Sequence, residues 1–184
     1  MYYISVCMIF IIYCRLEMKN LNVIFEKKEN IHEMENLIGK EKITLCDEIQ
    51  NNFLIICFDD IRAFGIAYYD YGIKPDYYYS ITHKCLYLGV GMKFICMNTE
   101  QEKIVTNDNL KSVFYEILVC SNGEFICVIC ELNAYCYCNG KQIWEMGFSD
   151  VIVDYFIIYN EQIIITCDDG RRYTLILQNG KLVQ

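Results

Sequence analysis

Histidine is scarce, with two in 184 residues, and lysine plus arginine number 16 against 24 acids. With only His32 and His83 present, a cysteine–histidine or serine–histidine arrangement would have to use His83, which stands two residues before Cys85 and has no evident third partner. The net charge of −8 disfavours nucleic acid and anionic membrane, because basic side chains on phosphates supply most of that affinity. It favours instead the encounter with a basic protein. Neither G-x-x-x-x-G-K-[ST] nor G-x-G-x-x-G occurs, and Gly89 and Gly91 with Lys93 read as a turn, so nucleotide binding has no support. The apolar run Tyr2 to Cys14 covers 13 residues, short of the roughly 20 that cross a bilayer. No basic residue precedes it and no small-residue cleavage site follows it, which argues against a signal peptide. Residues 1–17 stand as an extension ahead of a start at Met18, a buried or interfacial strand, or a membrane anchor or export signal, with residues 18–184 forming one all-β domain.

What the chain does have is a repeat. Asn139-Gly140-Lys141 and Asn179-Gly180-Lys181 lie 40 residues apart, each closing an apolar run, so that Ala134 to Ile143 corresponds position by position to Thr174 to Val183. Asn-Gly suits a two-residue type I′ turn, where both central residues need positive φ, and each copy therefore reads as strand, tight turn, strand. A third copy runs from Leu86-Tyr87-Leu88 through Met92 to Met97 and on to Lys103-Ile104-Val105. A fainter one begins at Ile55 to Arg62, which echoes Ile164 to Arg171. A period near 40 with several short strands per unit indicates propeller-type blades. One short helix is expected at residues 29–38, with Ile31, Met34, Leu37 and Ile38 on one face and Gly39 as its stop.

Ala134, Gly140, Lys141 and Trp144 stand at four positions of the blade pattern of quinoprotein-like propellers, which this segment resembles. Cys136 and Asn139 replace the Asp and Thr of that pattern, and the second copy keeps only Gly180 and Lys181. The resemblance implies a divergent blade in which the repeat supports the fold, and it implies no quinone or other cofactor. The fold class is all-β, mainly antiparallel blade-like meanders in a partial or open propeller or a β-sandwich. Trp144 is expected to pack between blades.

Twelve cysteines lie mostly inside strands of a chain that is 54% hydrophobic, the pattern of reduced core residues in a cytoplasmic protein. Cys127, Cys130, Cys136 and Cys138 form the one cluster with ligand-like spacing, but Cys127 and Cys130 would point to opposite faces of an extended strand, which opposes metal binding. The acid pairs Asp59-Asp60 and Asp168-Asp169 precede turns and read as turn formers.

The candidate recognition segment runs from Ala67 to Tyr79 and carries Tyr68, Tyr69, Asp70, Tyr71, Asp76, Tyr77, Tyr78 and Tyr79 around the only proline, Pro75. Tyrosine offers large contact area at low entropic cost and a hydroxyl for polar contacts. The alternative is two strands joined by Gly-Ile-Lys-Pro with alternate tyrosines in the core. The functional expectation is a non-enzymatic protein-binding module of the bacterial immunity or inhibitor type that captures a basic partner, with no metal and no catalytic residues. The competing readings are a propeller-like scaffold, or a hydrolase using His83, Cys85 or the acid pairs.

Overall fold

A computed structural model of the protein describes residues 23–58 and 61–183. The run Tyr2 to Cys14, the start at Met18 and the Asp59-Asp60 pair lie outside the described residues. Four sheets follow one another along the chain. The first holds β1 (Val23–Lys28), β2 (Ile43–Leu45), β3 (Asn52–Phe58) and β4 (Ile61–Tyr68), in the order β1-β3-β4-β2, with helix α1 (Ile31–Ile38) between β1 and β2. The second holds β5 (Asp76–Ser80), β6 (Cys85–Val90), β7 (Lys93–Asn98) and β8 (Lys103–Asn109) in chain order. The third runs β9 (Phe114–Val119), β10 (Phe125–Cys130), β11 (Asn133–Cys138) and β12 (Lys141–Gly147), and the fourth β13 (Ile152–Ile158), β14 (Gln162–Cys167) and β15 (Arg172–Ile176). The first strands of the second, third and fourth sheets begin at 76, 114 and 152, steps of 38 residues. Pairing is antiparallel except for β2 on β4.

Hydrophobic patterning sets the place of each strand. The middle strands β6, β7, β10 and β11 are near-continuous apolar runs because both their faces are covered. Ile126, Val128 and Cys130 face the second sheet, while Cys127 and Ile129 face the fourth. The outer strand β8, Lys-Ile-Val-Thr-Asn-Asp-Asn, alternates exposed and half-buried residues as a one-sided strand should. Consecutive sheets pack through three buried clusters, first on second, second on third and third on fourth. Among the described residues no buried cluster joins the first sheet to the fourth, so the array is an open succession of blades.

Helix α1 begins at Ile31, the first residue of its apolar period and two residues after the expected start at 29. Asn30 Oδ1 accepts from the Glu33 N–H at 3.0 Å, and Glu33 Oε2 accepts from the Glu29 N–H at 2.9 Å, so Glu29 and Asn30 form the cap. Gly39, at φ 84°, ends it. Met34, Ile31 and Ile38 pack on Ile55, Cys57 and Ala67 of the first sheet, whereas Leu37 stays exposed.

The two Asn-Gly turns differ. Asn139 and Gly140, at φ 52° and 73°, join Cys138 to Lys141 as the two-residue turn the sequence predicts. At the second site only Gly180 has positive φ, Ile176 pairs with Lys181, and the loop is four residues long. A Cβ on Gly180 would lie 2.8 Å from the Trp144 ring, so the glycine there makes room for the indole. Gly89 likewise lies inside β6, not in the turn, and a Cβ on it would stand 2.1 Å from the Phe114 ring.

Candidate binding surface

The tyrosines between Tyr68 and Tyr79 are dealt to different environments. Tyr68 ends β4 and is buried in the cluster between the first two sheets. Tyr77 and Tyr79 on β5 pack against that same cluster, and Tyr78, pointing the other way, packs against the cluster shared with the third sheet. Asp76 Oδ2 accepts from the Ile117 N–H at 3.0 Å and so ties β5 to β9. Tyr69, Asp70 and Tyr71 are left at the surface, with Tyr69 and Tyr71 each about two-fifths exposed, at 40% and 41%. Their rings meet edge to face at a centroid distance of 5.0 Å.

A second loop holds this pair in place. Asp47 Oδ2 accepts from the Tyr69 N–H at 2.8 Å, and Asn51 Oδ1 accepts from the Asp70 N–H at 2.7 Å. Asn52 Nδ2 donates to Asp70 Oδ2 at 3.0 Å, and Asp70 Oδ1 accepts from the Gly72 N–H at 2.7 Å. Loops 46–51 and 69–72 are therefore stitched together by side-chain bonds, and Ile49 projects from them 73% exposed. Asp47 and Asp70 place negative charge beside the buried groups here, offset in part at Cys46 by Lys93. Burial pushes the Tyr68 phenol up to about 12, with Asp70 and then Cys46 adding to it. Burial also pushes the Cys46 thiol up to about 12, reinforced by Asp47, and raises Tyr71, again with Asp47 second.

Tyrosine has a further role that sequence reading does not assign. Tyr137 Oη donates to Asp108 Oδ2 at 3.0 Å, from the third sheet back to the second, and Tyr155 Oη donates to Glu116 Oε2 at 3.0 Å, from the fourth back to the third. Tyr135 Oη accepts from the Lys111 N–H at 2.8 Å. These hydroxyls secure blade to blade, which a strand pattern alone cannot reveal.

Cys127 and Cys136 are paired across β10 and β11 facing the fourth sheet, Cys130 faces the second, and Cys138 is half-buried at the strand end. Among the described residues no group of three histidines, cysteines or acids is placed to hold a metal ion. Asp169 Oδ1 accepts from the Arg171 N–H at 2.9 Å and its carboxylate pairs with the Arg171 guanidinium at 3.3 Å, closing the β14–β15 turn. His32 is exposed on α1 beside Glu35, at 3.2 Å. His83 and Cys85 line a cavity of about 370 Å³ with Tyr87, Cys96, Thr106 and Lys141, and none of the described lining residues is a carboxylate. No described helix is long and apolar enough to cross a membrane.

Four successive, mainly antiparallel blade-like sheets, packed against one another through apolar clusters, define an array of the β-propeller type. No protein-family model matches the chain, and no curated protein matches it. Among solved structures it is similar to Saccharomyces cerevisiae Sqt1, at 10% identity over 72% of this chain and 42% of that one, with a TM-score of 0.50. The β-propeller domain of Cps50 (Swd1) from Myceliophteria thermophila matches at 9% identity over 60% of this chain and 38% of that one, TM-score 0.48. BamB from Moraxella catarrhalis matches at 11% identity over 89% of this chain and 51% of that one, TM-score 0.49. The chain thus spans between 38% and 51% of the length of these three proteins.

Proposed function

We propose that the chain is a non-enzymatic protein-binding module that captures a basic partner through the stitched loops 46–51 and 69–72. The observation that carries this reading is the edge-to-face Tyr69–Tyr71 pair, held at the surface by Asp47 and Asn51 beside the exposed Ile49. Pre-ordered aromatics lose little entropy on binding and are the side chains on which interface energy concentrates. Asp47 and Asp70 lie beside them, with Glu48 exposed on the same loop as Asp47, and the net charge of −8 would steer a basic protein toward them. The finer form of the reading is an inhibitor of the bacterial immunity kind acting in the cytoplasm, where the ten free cysteines among the described residues would stay reduced. Assigning the blades to the quinoprotein type rests on Ala134, Gly140, Lys141 and Trp144.

The test is capture of partners from native lysate by the wild-type chain and by Tyr69→Ala/Tyr71→Ala. Both side chains are partly exposed, so the variant keeps the fold. A basic protein held by the wild type, released by salt and lost with the double variant supports the reading. A partner that the double variant retains, or a turnover abolished by His83→Ala, overturns it.

A further inference from the structure

The two ends of the array are finished differently. At the first sheet α1 lays Met34, Ile31 and Ile38 over Ile55, Cys57 and Ala67, covering the face turned away from the second sheet. At the fourth sheet Ile163, Ile165 and Leu175 face the third, and no buried cluster of described residues forms on the opposite side. Strand register writes out that opposite side in three rows: Asp154–Thr166–Arg172, Phe156–Ile164–Thr174 and Ile158–Gln162–Ile176. Phe156, Ile158 and Ile176 are half-buried, and Ile164, although only 8% exposed, belongs to none of the four core clusters. Asp154 and Arg172 are exposed, and the Arg172 guanidinium lies 5.6 Å from the centre of the Phe156 ring. An apolar patch is thus bordered in one row by an acid on one outer strand and a base on the other.

We propose that this face packs against the same face of a second copy of the chain, about a two-fold axis running along β14. Such an axis lays β13 of one copy over β15 of the other, with the sheets about 10 Å apart and their strands within about 30° of alignment. Asp154 then meets Arg172 of the second copy twice over, Ile158 meets Ile176, and Ile164 meets its own counterpart. The charges are opposite in sign at equal steps on either side of β14, which is the pattern a two-fold interface requires. The apolar run Tyr2 to Cys14 is a poorer occupant because it carries no charge to answer Asp154 or Arg172. Helix α1 covers the other end of the array, so stacking the fourth sheet of one copy on the first of the next is blocked, and association stops at two.

Sedimentation equilibrium of the 184-residue chain tests this. The wild type is expected to be a dimer. Asp154→Arg sets like charges against each other at two symmetric places and should weaken the dimer by about tenfold or more. Asp154→Arg/Arg172→Asp restores opposite charges and should recover it. Both side chains are exposed, so circular dichroism of all three proteins should coincide. A monomeric wild type, a dimer indifferent to Asp154→Arg, or a double variant that recovers nothing overturns the proposal. A monomer in which residues 2–14 cross-link to the Ile164 face also overturns it, giving that face to the chain's own N-terminal segment.

Discussion

The indole nitrogen of Trp144 donates to the carbonyl oxygen of Leu177 at 2.6 Å, across the boundary between the third and fourth sheets. The same ring closes over Gly180, so one side chain makes both a polar and an apolar contact at that boundary. Trp144→Phe keeps much of the buried ring but leaves the Leu177 carbonyl without its partner, a loss of about 1–3 kcal/mol. Trp144→Ala removes the ring as well and should cost about 3–5 kcal/mol. Urea titration of the two variants measures both, and a wild-type midpoint for Trp144→Phe would mean that the hydrogen bond adds nothing.

Gly89 and Phe114 form a glycine–ring contact between the second and third sheets that leaves no space for a methyl group. Gly89→Ala should destabilise by about 1–3 kcal/mol through overpacking. Combined with Phe114→Leu, the total loss should be smaller than the sum of the two single losses, because the smaller side chain relieves the clash. A double-mutant cycle in urea reads the coupling, and strict additivity would contradict the contact.

Asp76 supplies the acceptor for the Ile117 N–H between β5 and β9, the first strands of those sheets. Asp76→Ala should cost about 1–3 kcal/mol by stranding that amide. Hydrogen exchange at Ile117 should quicken more than at residues of the fourth sheet, and uniform quickening would assign the bond no local role.

Alkaline pH should unfold the protein progressively. Burial pushes the phenols of Tyr68 and Tyr135 up to about 12 from the ordinary 10, with Asp70 second for Tyr68 and the bond from the Lys111 N–H opposing the rise for Tyr135. The folded chain keeps these protons while the unfolded chain gives them up, so the stability they carry is whole below pH 10 and drains away as pH rises through about 12, on the order of 2–3 kcal/mol for each group. Tyr135→Phe should shrink the difference between urea midpoints measured at neutral and at strongly alkaline pH. An unchanged difference would remove Tyr135 from the account.

Local features of this chain are legible and its layering is not. The Asn139–Gly140 turn, the inter-blade position of Trp144 and the helix ending at Gly39 each follow from a few adjacent residues, and the structure contains all three. The first sheet is harder to read because its strands run out of sequence order, with α1 between β1 and β2 and β2 lying parallel to β4. No short-range period encodes such a pairing. In the tyrosine segment the alternation of Tyr77 and Tyr79 against Tyr78 is visible in sequence, but burial on both sides depends on sheets that lie before and after it. The partnership of loop 46–51 with Tyr69 and Asp70 escapes sequence reading for the same reason, since its hydrogen bonds span 19 and 22 residues.

Because each buried cluster ties a sheet only to its immediate neighbours, the energetics of this fold are those of a short chain of links. Opening should start at an end and travel inward, sheet by sheet. The backbone amides of β6, β7, β10 and β11, shielded on both faces, should be the last to exchange with solvent. A deletion at the outer end would then leave the inner pair of sheets standing, where the same loss from a ring would unfasten the whole.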